Sequence, residues 1–218
     1  FDSLQCITGS GGTIGDAIVS NPGIRKVTFT GSQEVGERIC KTAGLKKVTM
    51  ELGSNSPLIV LPDADLQKVA EATTQSGFSN AGQVCISTQR VIVDQSVYSD
   101  YLDVLVPVVE SLKIGNPLED PVKLGPMVRE SDAERVSDWI GEAVSDGARL
   151  LTGGDRDRAI VSPAVIADAK PDMRVCREEL FGPAVTVTPA SDIDQAIELA
   201  NDSRFGLSAA VFTENINH

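Results

Sequence analysis

Cys85 lies in the run Asn80-Ala81-Gly82-Gln83-Val84-Cys85-Ile86-Ser87. A lone cysteine between small and polar residues, in a chain without cysteine pairs at zinc spacing, is a candidate nucleophile. The thiolate is the attacking form, and its neighbours decide how much of it exists. Gly82 has no side chain to obstruct a substrate, and Asn80 and Gln83 carry hydrogen-bonding amides. A cysteine in such a run is also often an inert core residue. The second half of the constellation decides between these readings. It is Met50-Glu51-Leu52-Gly53-Ser54-Asn55-Ser56-Pro57. Glu51 follows a strand-like stretch, and a carboxylate at the end of a parallel strand points into the crevice where such folds bind ligands. Judged alone, it reads more readily as a solvated strand-end acid.

Two further segments carry polar groups at turns. Gly31-Ser32-Gln33-Glu34-Val35-Gly36 stands where a strand gives way to a helix. A helix N-terminus offers free N–H groups and a positive dipole end, which suits a phosphate. Gly31 lets the backbone approach closely, and the Ser32 hydroxyl is a donor. The earlier cluster Gly9 to Gly15 resembles a dinucleotide fingerprint, but its spacing is not GxGxxG. Glu178-Glu179-Leu180-Phe181-Gly182-Pro183 joins two acids, an aromatic and a tight turn.

Composition narrows the class. The 218 residues suffice for one large or two small domains, and 41% hydrophobic with 23% charged residues is ordinary globular composition. A formal net charge of -12 argues against nonspecific nucleic-acid binding and against an anionic membrane surface. No long apolar run and no charged-then-apolar N-terminus occur, which argues against a membrane span and a secretion signal. Cys6, Cys40, Cys85 and Cys176 are far apart and form no metal spacing, so no metal is expected and reduced cytoplasmic thiols are. The one histidine is His218, which argues against a Ser-His or Cys-His pair. A base assisting Cys85 is then a carboxylate, a lysine or a bound group. The chain opens at Phe1 without Met and ends just after a strand-like stretch, so it reads as an internal piece of a longer polypeptide.

The elements that must position these residues alternate. Strands are predicted at Ser3–Ile7, Val27–Thr30, Lys47–Glu51, Leu58–Leu61, Arg90–Val93, Ala148–Leu151, Ala184–Thr188 and Ser208–Phe212. Helices are predicted at Asp16–Ser20, after the glycine-rich turn, and at Glu34–Thr42. Others are a helix opened by Asp63-Ala64-Asp65, then Gln95–Leu112, Ser131–Asp146 and Asp192–Asn201. Val69, Ala70 and Thr73 share one face. So do Tyr98, Tyr101, Leu102, Leu105 and Val109, and Val136, Ile140 and Val144, with Trp139 flanking the last. Strand, turn, helix, strand is the unit of a parallel sheet, and the fold class is α/β. Pro57 marks the boundary between two parts.

The ordered set Phe29-Thr30-Gly31-Ser32, Glu51-Leu52-Gly53, Gly82-Gln83-Val84-Cys85 and Glu178 to Pro183 resembles the aldehyde dehydrogenase superfamily. Pro117-Leu118, Leu124-Gly125-Pro126-Met127, Asn201 and Phe205-Gly206-Leu207-Ser208-Ala209 extend the resemblance over essentially the whole chain. It implies the end of a Rossmann-type cofactor domain at residues 1–53 and most of an open α/β catalytic domain at 54–218. It implies Cys85 as the nucleophile that forms a thioester, Glu51 as the base that activates water, and the Cys85 N–H as half of an oxyanion hole. Gly31 and Ser32 resemble the pyrophosphate contact, with Gly36 supporting close packing and Leu52 a further cofactor-binding position. Glu179 resembles the residue that holds the nicotinamide ribose, and Phe181 one packed near it. The implied cofactor is NAD or NADP, the substrate a small aldehyde of lactaldehyde or semialdehyde type, and the assembly a homodimer or tetramer in the cytoplasm. Ser54 replaces the second glycine of the family's Glu-Leu-Gly-Gly. Relatives that pass the acyl group to coenzyme A commonly lack the glutamate, so Glu51 favours hydrolysis over acylation. A non-catalytic relative is the reading from another class, and such proteins tend to lose Cys85 or Glu51.

Overall fold

The computed structural model describes residues 3–217, and His218 lies outside the described residues. The chain divides into two compact units, Phe1–Gly53 and Ser54–His218. No helix among the described residues is long and apolar enough to cross a membrane.

The first unit comprises α1 (Gly11–Ser20), β1 (Lys26–Thr30), α2 (Gln33–Ala43) and β2 (Lys47–Glu51). The strands pair in parallel, with Val27 opposite Val48 and Thr30 opposite Glu51. The β-branched and aromatic run Val27-Thr28-Phe29-Thr30 is a strand as predicted. Ser32 then caps α2, its hydroxyl oxygen accepting from the Val35 N–H at 3.4 Å. Two expectations fail here. Ser3–Ile7 forms no strand; Leu4 and Ile7 are exposed, and among the described residues no strand pairs with them. The glycine cluster is not a turn before a helix, because α1 already begins at Gly11. The Ser10 carbonyl accepts the first helical N–H groups, from Thr13 and Ile14, and overrides the poor helix propensity of glycine.

The second unit comprises β3 (Pro57–Val60), α3 (Leu66–Phe78), β4 (Arg90–Asp94), α4 (Tyr98–Glu110), α5 (Glu130–Ser145), β5 (Arg149–Thr152), β6 (Arg156–Asp157), β7 (Ile160–Val161), β8 (Ala164–Ala167), α6 (Arg174–Arg177), β9 (Ala184–Ala190), α7 (Ile193–Asn201) and β10 (Ala210–Phe212). Its six-stranded sheet has the order β10-β3-β4-β9-β8-β5. Every pairing is parallel except β5 with β8, so the sheet is mixed rather than purely parallel.

Alternation along the central strands fills both faces. Leu58, Val60, Val91 and Val93 join the large core with Tyr101, Leu105 and Val109 of α4. Ile59, Leu61 and Ile92 face the other way, onto Ala196 of α7. Each such side chain, once fully buried, contributes about 1.5–3 kcal/mol. Both predicted faces, of α3 and of α4, are buried. On α5 the buried stripe is Ala133, Val136, Ile140 and Ala143, while Val144 is exposed. The α-helical step of about 100° carries Val144 off the face that Ala143 still holds. Pro57 is the first residue of β3. Strand β8, Ala-Val-Ile-Ala, has no alternation because both its faces are buried, and was not legible as a strand.

Candidate active site

The nucleophile candidate stands on a strained turn. After α3 the chain passes through Asn80, Ala81 and Gly82 with φ of 51°, 55° and 69°. Left-handed backbone costs an L-residue about 1–2 kcal/mol, so Asn80 and Ala81 need support from their surroundings. The Asn80 and Gln83 side chains supply part of it. Asn80 Nδ2 donates to Gln83 O at 3.3 Å, and Gln83 Nε2 donates to Asn80 O at 3.0 Å. Gln83 Oε1 accepts from the Val128 N–H at 2.9 Å. These amides, whose hydrogen-bonding capacity the sequence showed, hold the loop.

Cys85 follows in a tight turn closed by Ser87 N–H to Val84 O at 2.9 Å. Its residue is partly exposed. Among the described residues the Cys85 N–H has no hydrogen-bond partner. The turn is fastened on its far side. Ser87 Oγ donates to the Ser76 and Gly77 carbonyls, both at 3.1 Å, at the C-terminal end of α3. Ser76 Oγ and Thr88 Oγ1 share a hydrogen bond of 2.8 Å.

The segment carrying Glu179 and Phe181 comes against this turn. A Cβ on Gly82 would lie 2.1 Å from the Gly182 carbonyl oxygen, and one on Gly182 would lie 2.4 Å from Val136. Gly82 therefore permits the approach of two backbones, and Gly182 admits the Val136 side chain behind it. Glu179 Oε1 accepts from the Ser54 N–H at 3.0 Å. Burial pushes the Glu179 carboxyl above its ordinary value, opposed by that hydrogen bond and by Arg135. Arg135 Nη1 donates to Leu180 O at 2.8 Å, and its guanidinium lies over Trp139. Phe181 is 40% exposed with φ of 48°. A cavity of about 10 Å³, room for about one water, is lined by Ser54, Gly82, Ser87, Gln89, Glu179 and Gly182.

The raised Glu179 carboxyl has a measurable consequence. A group whose folded-state pKa is raised adds stability below its unfolded-state pKa and loses it as pH rises through the folded value. Glu179→Gln removes that loss and keeps an oxygen for the Ser54 N–H. Its melting temperature should exceed the parent's at pH 7, and the difference should close near pH 4, in the ordinary carboxylate range. An equal difference at both pH values contradicts this assignment.

Three buried polar side chains that sequence reasoning missed build the frame. Gln89 Nε2 donates to the Val175 and Glu178 carbonyls, and its Oε1 accepts from the Leu180 N–H. Asn55 Nδ2 donates to Cys176 O at 2.9 Å, and its Oδ1 accepts from Ser203 Oγ at 2.8 Å. Arg90 donates to Asn55 O and to the Leu199 and Ala200 carbonyls at the end of α7, where a cation is favoured. The signal in the sequence is faint: Gln89-Arg90 opens an otherwise apolar strand.

The other predicted residues belong to the first unit. Glu51 is the last residue of β2 and is exposed. The Gly31 N–H is taken by the Glu51 carbonyl at 3.1 Å. It is therefore not a free donor for a ligand. A Cβ on Gly31 would meet Phe29 at 2.5 Å, and one on Gly36 would meet Leu52 at 2.6 Å, so both glycines serve close packing. Among the described residues, the amides of Gln33 and Glu34 in the first turn of α2 have no hydrogen-bond partner. That helix terminus fits a phosphate, and a half-buried carboxylate such as Glu179 fits a ribose diol. Both features suit a dinucleotide. No group of three or more His, Cys, Asp or Glu among the described residues could hold a metal ion.

Comparison with known proteins identifies the family. A model of the aldehyde dehydrogenase family matches residues 2–218. The 3-sulfolactaldehyde dehydrogenase of Priestia aryabhattai is 46% identical over 213 residues, covering 98% of this chain and 45% of that protein. The lactaldehyde dehydrogenase of Methanococcus aeolicus is 40% identical, covering 98% and 46%. The crystal structure of NADP-dependent glyceraldehyde-3-phosphate dehydrogenase from Bacillus halodurans, complexed with NADP, superposes with a TM-score of 0.94 at 39% identity, covering 97% and 44%. The chain thus spans about half the length of the curated relatives it matches.

Proposed function

We propose, on the premise that this chain belongs to the aldehyde dehydrogenase family, that the complete protein oxidises a small aldehyde to its carboxylic acid with NAD or NADP. The observation that carries this reading is the strained Asn80–Gly82 turn, which presents Cys85 and meets the Glu179 segment backbone to backbone. Strain of this kind persists where the surroundings over-determine it, and it clusters at reactive sites.

In this reading the Cys85 thiolate attacks the aldehyde carbon. A C–S bond forms and the carbonyl pair moves to oxygen, where the Cys85 N–H donates to it. NAD or NADP, when bound, supplies the hydride acceptor that lets this adduct become a thioester. Glu51 takes a proton from the water that attacks the thioester, and Cys85 leaves as thiolate while the acid departs. The first turn of α2, at Ser32, takes the pyrophosphate, with Gly31, Gly36 and Leu52 shaping that end of the unit. Glu179 takes the nicotinamide ribose hydroxyls, and Phe181 packs beside it. The names of the relatives support a short hydroxyaldehyde as substrate. We assign residues 1–53 to a cofactor domain and 54–218 to a catalytic domain, in a cytoplasmic homodimer or tetramer.

The test is NAD(P)H formation by the complete protein on short aldehydes, with and without coenzyme A. Activity that requires coenzyme A would replace hydrolysis by acyl transfer. Silence on every aldehyde with both dinucleotides would defeat the reading. Within it, Glu51→Gln should lower steady-state turnover by about 10²-fold or more yet leave a rapid first burst of NAD(P)H. Loss of the burst as well would place Glu51 outside the deacylation step.

A further inference from the structure

Gln89 is the buried group that the proposed chemistry leaves without a role. It stands four residues after Cys85, just before Arg90 opens β4, and is 5% exposed. Its main chain is fixed to the sheet. The Gln89 N–H donates to Ser56 O at 3.1 Å, and Gln89 O accepts from the Thr186 N–H at 2.8 Å. Its side chain is saturated by another segment. Nε2 donates to Val175 O at 2.8 Å and Glu178 O at 2.7 Å, while Oε1 accepts from the Leu180 N–H at 2.8 Å. Two of these partners bracket Glu179 in sequence. One amide therefore couples the strand that follows the cysteine turn to the segment carrying the carboxylate.

We infer that Gln89 is a positioning residue that fixes Glu179 relative to Cys85 and thereby sets dinucleotide affinity. The inference rests on the function proposed above. The ladders of β4 to β3 and β9 hold the cysteine end whether or not the amide is present. Loss of the amide instead loosens the 178–180 stretch, left to contacts such as Arg135 and the Ser54 N–H, and the ligand then has to order it on binding. Its cost falls on binding more than on the bond-making steps at Cys85.

The test uses the complete protein and titrates NAD and NADP calorimetrically without aldehyde. Gln89→Met, of similar length but without hydrogen bonds, should raise the dinucleotide Kd about tenfold or more. The Michaelis constant for the dinucleotide should rise with it, while kcat at saturation changes by less than about threefold. Gln89→Glu should be worse, because it turns an acceptor toward the Val175 and Glu178 carbonyls. Gln89→Asn, with both amide functions on a shorter arm, carries the same expectation if Gln89→Met does not fold. Tyr101→Phe, which removes a buried hydrogen bond to Thr73, should lower the melting temperature and leave Kd unchanged. A Gln89 variant that behaves like Tyr101→Phe would reduce Gln89 to a structural residue and overturn the inference, with the function intact. A wild-type protein that binds neither dinucleotide would overturn both.

Discussion

Cys85→Ala in the complete protein should abolish aldehyde-dependent NAD(P)H formation, lowering kcat/KM by about 10⁴-fold or more. The size follows from the role. In the proposed mechanism the sulfur makes and breaks a covalent bond to the substrate carbon, and the Ser87 hydroxyl of the same turn is already committed to the Ser76 and Gly77 carbonyls. Replacing it with a methyl group leaves the surrounding frame in place. Gln83 still binds Asn80 and Val128, and Ser87 still caps the end of α3. Melting temperature and dinucleotide affinity should therefore stay near the parent's while turnover vanishes. Cys40→Ala, at an exposed thiol of the first unit, should leave turnover unchanged. Retained activity in Cys85→Ala, or equal losses from both substitutions, would remove Cys85 from the chemistry.

Gly82→Ala should be among the most damaging single methyls in the second unit. Gly82 has φ of 69°, and an added Cβ would lie 2.1 Å from Gly182 O and 3.1 Å from Pro183 N. Neither neighbour is a flexible side-chain end, so the backbone must part. Gly182 cannot retreat easily, because it already abuts Val136. We expect a loss of about 3 kcal/mol or more in urea unfolding, from left-handed backbone and steric conflict together. Turnover of the surviving folded protein should also fall, because the cysteine turn and the Glu179 segment no longer meet. Gly141→Ala is the matched control. Gly141 lies inside α5 with nothing within 4 Å of an added Cβ, and that substitution should stabilise by about 0.5–1 kcal/mol. Equal effects of the two would show that the Gly82 contact is not close.

Candidates for the site were more legible in the sequence than the frame. Cys85, Glu51, Glu179 and the Gly31–Ser32 turn are each ambiguous alone and stand out as an ordered set, through the resemblance it carries. The α3 and α4 faces were legible for the ordinary reason of helical spacing. Strand β8 was not, since a strand buried on both faces has no alternation to read. The hairpin of β6 and β7 pairs only two residues on each side, too few for a pattern. Gln89, Asn55 and Arg90 were invisible as a group because most of their partners are backbone carbonyls 35–121 residues away, and carbonyls have no sequence signature. The left-handed Asn80-Ala81 pair was equally hidden. Alanine gives no hint of positive φ, and only the tertiary contacts of Gln83 and Gly182 impose it.

The central claim is that a thioester forms on Cys85. The most direct measurement is acid quenching of the complete Glu51→Gln variant during turnover, followed by peptide mass mapping. The account predicts that the acyl group of the aldehyde is found on the peptide carrying Cys85 and on none of those carrying Cys6, Cys40 or Cys176. NAD(P)H formation with no acylated Cys85 peptide, or with the acyl group on another cysteine, would contradict it.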